Sequence, residues 1–416
     1  MLPHLQSALG IVAIIALAWT LSENRRGLNW RMVAGTLVLQ AAIALLLLKV
    51  PVMRDCLLAL NNVVTALTTA TQAGTSFVFG FMGGGAAPFT VTNPANLVNL
   101  AFTILPLILV VGALSAMLWY WRILPILVNG MAFVLKKTLG LGGVVGLSAA
   151  ATVFLGNIEG QLVIRPYLAR LARTELFILM TVGLSVIAGT VFVLYATILS
   201  NVLPSALGHL LVASFMSLPG GILIARIMVP GPAQTDLHEE QATVRYRSTM
   251  DAMARGTEDG LKLYLQIIAM LVVTTSLVAL ANVILAQLPP AFGAPLTLER
   301  MLGWLFAPFV WLLGVPADQV VPAGGLLGVK VILNEFIAYL RMAALPVGSL
   351  DPRASMIMVY AMCGFANFAS VGILIAGMSA MIPERRDEVV GLALKALVAG
   401  VLASALSAAM IGLLPI

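Results

Sequence analysis

Apolar positions run in long blocks with neither the two-residue alternation of half-buried strands nor the narrow stripe of a soluble helix. A spanning helix needs about 20 predominantly apolar residues. Blocks of that size predict helices at 5–21, 30–50, 97–121, 174–201, 203–229, 261–287, 354–380 and 389–413. Two more apolar regions, 143–172 and 302–342, are broken at mid-length by Gly, Pro and polar residues. They read GVVGLSAAATVFLGNIEGQLVIRPYL and LGWLFAPFVWLLGVPADQVVPAGGLLGVKVILNEFIAYL. Irregular backbone at membrane depth is tolerated only where protein or a water-filled cavity covers it. Each region is therefore expected to be a re-entrant hairpin, one from each face of the membrane. Each is followed by a spanning helix, which suggests an inverted repeat whose broken helices meet at the bilayer midplane. Segments 53–72 and 123–139 are amphipathic or short and are expected along the interface. The polar stretch 230–260 reads as a cytoplasmic loop with a surface helix.

Composition agrees. Hydrophobic residues make up 61% of the 416 and charged residues only 10%, against about 25% charged in soluble domains. The first apolar block lacks a small-residue cleavage site and is read as a retained helix. Placing the loop 22–29 in the cytoplasm puts fifteen Lys and Arg inside against four outside, namely Arg54, Arg300, Arg341 and Arg353. That bias supports eight spans with both termini outside. The formal charge of +6 marks topology, not nucleic acid. Cys56 and Cys363 build no disulfide framework or zinc site, and the three His are dispersed. LHEEQ is half of a metalloprotease motif, and no phosphate loop or serine-hydrolase elbow occurs. An enzyme would need a nucleophile–base pair or a metal cluster, and neither is visible. No cofactor is expected.

Two carboxylates are out of place: Glu159 in FLGNIEGQL and Glu335 in ILNEFIAYL, one per hairpin. A charge at the centre of a lone helix costs roughly 2.5–3.5 kcal/mol, so each requires a partner, water or a function. Pairing with Lys330 or Arg165 is the structural alternative. In MCGFANFASVGIL, Asn367 and Ser370 stand three apart and are expected on one helix face, with Phe365 on the flank. Asn and Ser also bond neighbouring membrane helices, so the stripe alone is ambiguous. A carboxylate, an amide and a hydroxyl suit a ligand with several hydroxyls, and an aromatic face suits a flat ring.

These motifs resemble those of the concentrative nucleoside transporters. GVKVILNEFIAY is similar to the family signature G-x-K-x-x-x-N-E-F-V-A, with Gly328, Lys330, Asn334, Glu335, Phe336 and Ala338 in register and Ile337 for Val. GNIEGQLVIRPYL, CGFANFASVGI and AGTSFVFG resemble further family stretches, spread over nearly the whole chain. The resemblance implies a homotrimer in the cell (inner) membrane, in contact with lipid. It implies secondary active symport of a nucleoside with a cation by an elevator-type shift. Scaffold helices would occupy 1–121 and 202–300. The transport domain would occupy 122–201 and 301–380, and a last transmembrane helix 381–416. Glu335, Asn367 and Ser370 would hold ribose hydroxyls, with Asn334 beside them. Asn157, Ile158 and Glu159 would face the base, and Val191 and Phe365 would pack it. The family's sodium ligands align with Thr152 and Val186, with backbone at Leu155 and Ile187. Val186 offers no side-chain oxygen, which favours proton over sodium coupling, with Glu159 and Glu335 as proton carriers. Asn157-Ile158 departs from the family pattern, so another polar solute is the alternative cargo.

Overall fold

The computed structural model describes residues 2–27, 29–91, 99–231, 246–291 and 293–414. The chain is all-helical. Its helices are α1 (Leu2–Thr20), α2 (Trp30–Lys49), α3 (Pro51–Phe79), α4 (Leu107–Tyr120), α5 (Ile123–Leu139), α6 (Gly143–Leu155), α7 (Asn157–Leu162), α8 (Arg165–Leu168) and α9 (Arg173–Ser185). They continue as α10 (Gly189–Leu199), α11 (Ala206–Met228), α12 (Thr249–Leu285), α13 (Leu298–Leu313), α14 (Val320–Ile332), α15 (Glu335–Ala343), α16 (Pro352–Met362), α17 (Phe368–Met381) and α18 (Arg386–Leu413).

Among the described residues, six helical stretches are long and apolar enough to cross a membrane: Trp30–Lys49, Leu100–Tyr120, Arg173–Leu199, Ala206–Met228, Thr249–Leu285 and Pro383–Leu413. The expected span 5–21 is the shorter apolar α1, and 354–380 falls on α16 and α17. Residues 97 and 98, at the start of one expected span, and 232–245 of the polar stretch lie outside the described residues. In the rest of that stretch a helix does begin, α12 at Thr249, capped by Ser248, whose Oγ accepts from the Asp251 N–H at 3.1 Å, but it runs on unbroken to Leu285 and is not a separate surface helix. Segment 123–139 coincides with α5, whereas 53–72 is the middle of the longer α3.

Two expected spans are discontinuous. Residues 186–188 are extended between α9 and α10, with Val186 at φ −114°, ψ 165° and Ala188 at φ −74°, ψ 147°. Residues 363–367 separate α16 from α17. The second broken region also divides differently from the expectation. Residues 298–313 form a separate helix, α13, and the hairpin itself is α14 and α15. With that division the two halves of the chain repeat one element order. An entry helix (α5 or α13) precedes a hairpin (α6–α7 or α14–α15), which precedes a broken helix (α9–α10 or α16–α17).

The packing follows the same repeat with the halves exchanged. The second arm of each hairpin contacts the second half-helix of the other repeat: α7 packs on α17, and α15 on α10. α11 and α18 run through the centre and touch both broken helices. α12 packs chiefly along α4, and its other faces leave Leu265, Val272, Leu280 and Val283 exposed. Gly112, Gly256 and Gly260 let these two backbones approach. A Cβ on Gly256 would lie 2.6 Å from the Gly112 carbonyl oxygen, the close contact that small residues permit between membrane helices.

Candidate functional site

The site forms where the two helix breaks cross. An extended break in a helix frees backbone N–H and C=O groups, which need partners when buried. Here they find them in distant residues. Phe365 N–H donates to the Val186 carbonyl at 3.3 Å. Ile187 N–H donates to Ser214 Oγ of α11 at 3.4 Å. The breaks pass so closely that a Cβ on Gly364 would fall 2.7 Å from the Ser185 carbonyl oxygen.

Glu335 is the first residue of α15 and is 4% exposed. A carboxylate there gains from the positive end of the helix dipole. Tyr195 Oη of α10 donates to its Oε1 at 2.7 Å, and Asn367 Nδ2 donates to its Oε2 at 2.9 Å. Three elements thus converge on one carboxylate. Asn367 also closes the N-terminus of α17, its Oδ1 accepting from Ser370 N–H at 2.7 Å. This corrects the expectation that Asn367 and Ser370 share a helix face: Asn367 precedes the helix and meets Ser370 through the backbone. Asn334 has the same form, extended, with its Oδ1 accepting from Ile337 N–H at 2.8 Å. Its side-chain oxygen is thereby engaged in the hairpin break. Val191 lies buried on α10, four residues before Tyr195, and Phe365 is half-buried in the second break.

The first hairpin is arranged differently. Gly156 makes its bend at φ 118°, a region L side chains rarely adopt. A Cβ there would meet a Glu159 carboxylate oxygen at 2.8 Å. Asn157 turns toward α9, packing on Gly183 and accepting from Gln161 Nε2 at 3.4 Å. Ile158 packs on Gly377 of α17, and Glu159 is exposed. No described hydrogen bond links these three to Glu335. Thr152 is buried, its hydroxyl donating to the Ser148 carbonyl at 2.8 Å, while Ser148 Oγ donates across the hairpin to Gly160 O at 2.9 Å. Leu155 ends α6, and Val186 and Ile187 are the buried break residues.

Lys330 of α14 is fully buried, and its Nζ has no hydrogen-bond partner among the described residues. It forms no ion pair with Glu335, nor does Arg165 with Glu159. Sequence reasoning missed Tyr195 and Tyr339. Both are four residues from a recognised position, Tyr195 from Val191 and Tyr339 from Glu335, so helical spacing could have found them. Their rings lie 5.2 Å apart, and Tyr339 Oη donates to the Val359 carbonyl at 3.0 Å.

Known proteins resemble this one over nearly the full length of the chain. Three family models match: "Na+ dependent nucleoside transporter N-terminus" over residues 9–82, "Nucleoside recognition" over 101–202 and "Na+ dependent nucleoside transporter C-terminus" over 209–412. The nucleoside permease NupC of Helicobacter pylori is 33% identical over 412 residues, covering 98% of this chain and 97% of that one. A transporter of Haemophilus influenzae is 37% identical over 417 residues, covering 98% and 97%. Among solved structures, CNTnw in an inward-facing substrate-bound state aligns with TM-score 0.88 at 35% identity, covering 98% of this chain and 97% of that one.

Proposed function

This chain belongs to the concentrative nucleoside transporter family, a multi-pass membrane transporter and not an enzyme, and from that premise we propose that it carries nucleosides into the cell across the inner membrane with a proton as coupling ion. The observation that carries the substrate assignment is the Glu335 carboxylate held by Tyr195 and Asn367. A carboxylate offers about four acceptor positions. Two are used by the protein, which leaves one on each oxygen for a pair of neighbouring hydroxyls, as on a ribose. The buried Val191 and half-buried Phe365 supply an apolar wall for the base.

Proton coupling rests on what the sodium positions lack. Val186 brings no side-chain oxygen, and the Thr152 hydroxyl is engaged by Ser148. Sodium needs several oxygen ligands, so these positions serve it poorly. Glu159, exposed in the first turn of α7, is the proposed proton carrier, because Glu335 is already engaged by its two donors. The runner-up is sodium, which the name of the matching family model favours.

The α4–α12 pair is proposed as the fixed part of an elevator, with the two re-entrant hairpins and broken helices as the moving part. Arg122, at φ 63°, holds the junction from α4 into α5 in the left-handed region, where a non-glycine residue is strained. Such a joint suits a hinge. The exposed apolar faces of α12 are the proposed contacts between protomers of a trimer and with lipid.

The test is uptake of labelled uridine and adenosine by purified protein in liposomes, under a proton gradient, a sodium gradient or neither. Accumulation driven by the proton gradient alone is expected. Accumulation driven by sodium alone would reverse the coupling assignment. Failure of both nucleosides under every gradient would move the cargo to another polar solute.

A further inference from the structure

At the face that the charge bias assigns to the cytoplasm, a cavity of about 450 Å³ opens between the N-terminus of α2 and the C-terminal ends of α5 and α11. Among the described residues its lining includes Arg31 and Arg226 and no carboxylate. Its described lining comes from α2, α5, α11 and the loops beside them, and not from the hairpins or helix breaks of the proposed nucleoside site.

Arg226 is fixed in place, its Nη1 donating to the Leu139 carbonyl at 2.9 Å. Arg31, in the first turn of α2, is exposed and has no hydrogen bond or ion pair from its guanidinium to the described residues. Asn29 caps α2, accepting from the N–H groups of Arg31 and Met32 at 3.0 and 3.3 Å. The positive end of the α2 dipole faces the cavity, but the negative ends of α5 and α11 face it too, so the attraction for an anion comes from the two guanidinium charges.

The independent observation is Thr36. This residue lines the cavity and is fully buried, yet its hydroxyl has no hydrogen-bond partner among the described residues. A threonine inside a helix usually donates to the carbonyl four residues back. Thr68, Thr69 and Thr138 of this protein do so, at 2.8, 2.9 and 2.7 Å. Thr36 does not. A buried hydroxyl is expected to be satisfied, and the cavity is where its partner would sit.

We propose that this cavity binds a phosphate ester anion, held by the guanidinium groups of Arg31 and Arg226 and by the Thr36 hydroxyl. Arginine matches phosphate oxygens in geometry and keeps its charge. A tetrahedral anion presents oxygens in several directions, as donors from two different helices require, whereas a carboxylate presents two in one plane. The phosphate has two possible sources: the headgroup of an anionic phospholipid in the facing leaflet, or a soluble phosphate monoester.

The experiment uses the full-length protein and two variants, Arg31→Gln and Thr36→Val. Native mass spectrometry reads retention of phosphatidylglycerol against phosphatidylcholine. Calorimetry in detergent reads inorganic phosphate and uridine monophosphate. One of these probes is expected to bind the wild type, about tenfold more weakly to Arg31→Gln, the loss of one charge-assisted hydrogen bond, and several-fold more weakly to Thr36→Val. Uridine uptake in phosphatidylcholine liposomes stays unchanged in both variants, which shows that they fold. Selective retention of phosphatidylglycerol identifies the lipid source, and binding of phosphate or uridine monophosphate identifies the soluble one. If no probe binds the wild type, or both variants bind as tightly as it does, the proposal is wrong.

Discussion

Glu335 is the centre of the proposed site, and its two donors make separable predictions. Glu335→Gln keeps the shape of the side chain but removes its charge and puts an NH2 group in place of one oxygen, where it faces one of the two donors, Tyr195 or Asn367. Nucleoside binding is expected to be lost while the protein still folds; normal uptake by this variant would sink the ribose assignment. Tyr195→Phe removes only the hydroxyl that donates to Oε1 at 2.7 Å. Hydrogen bonds to charged groups contribute about 1.5–3 kcal/mol, so affinity should fall roughly tenfold or more. Uridine binding to purified variant checks this, and an unchanged affinity would show that Tyr195 does not position the carboxylate. Glu335 itself was legible in the sequence because a charge in so apolar a stretch needs a reason. Tyr195 was not, because a tyrosine in an apolar helix is unremarkable until its hydroxyl is seen to have a partner 140 residues away.

At the scale of elements, the functional geometry is made by interruptions. Two hairpin bends and two helix breaks place the starts of α7, α10, α15 and α17 within one packed region. Asn334 and Asn367 each begin a half-helix as its cap, so these motif residues shape the breaks around the carboxylate. Gly364 is a point of close approach between the breaks. Gly364→Ala would force a Cβ against the Ser185 carbonyl, backbone that cannot rotate away. Overpacking of this kind costs about 1–3 kcal/mol. A lower thermal midpoint in detergent is expected, with uptake reduced in step. Unchanged stability would mean that the crossing has slack.

For the whole molecule, a charged residue in a loop ties several helices together. Glu23, in the loop after α1, accepts from Arg173 Nε and Nη2 at 3.3 and 3.0 Å and from Lys395 Nζ at 3.0 Å. Its own N–H donates to the Met228 carbonyl at 2.9 Å. One side chain thus joins α9 and α18, while its backbone ties the loop to the end of α11. The hydrogen bond from Arg173 holds its carboxyl below the ordinary carboxylate range, helped by Lys395. With the folded pKa below the unfolded one, this stabilisation is complete above the unfolded pKa and is lost as pH falls through the folded one. Glu23→Gln should therefore unfold at a lower temperature than wild type at neutral pH. The difference should close as the medium is acidified below the carboxylate range. A gap that stays constant with pH would assign the effect to packing instead.

Hydropathy, charge and short motifs sum locally along the chain. They were enough to specify the membrane class, the approximate place of the apolar helices, the two anomalous carboxylates and the family. The breaks in 174–201 and 354–380 belong instead to packing. Val186, Ile187 and Ala188 include no Gly or Pro, and the flanking Gly183 and Gly189 weaken the helix without fixing where it opens. It stops because Ser214 and Phe365 supply hydrogen-bond partners to the opened backbone. Likewise, Asn157, Ile158 and Glu159 are consecutive in the chain, but packing sends them in three directions: toward Gly183, toward Gly377 and into the open. A side chain's neighbours across the fold are absent from its neighbours along the chain, and in a protein built from broken helices those distant neighbours make the site.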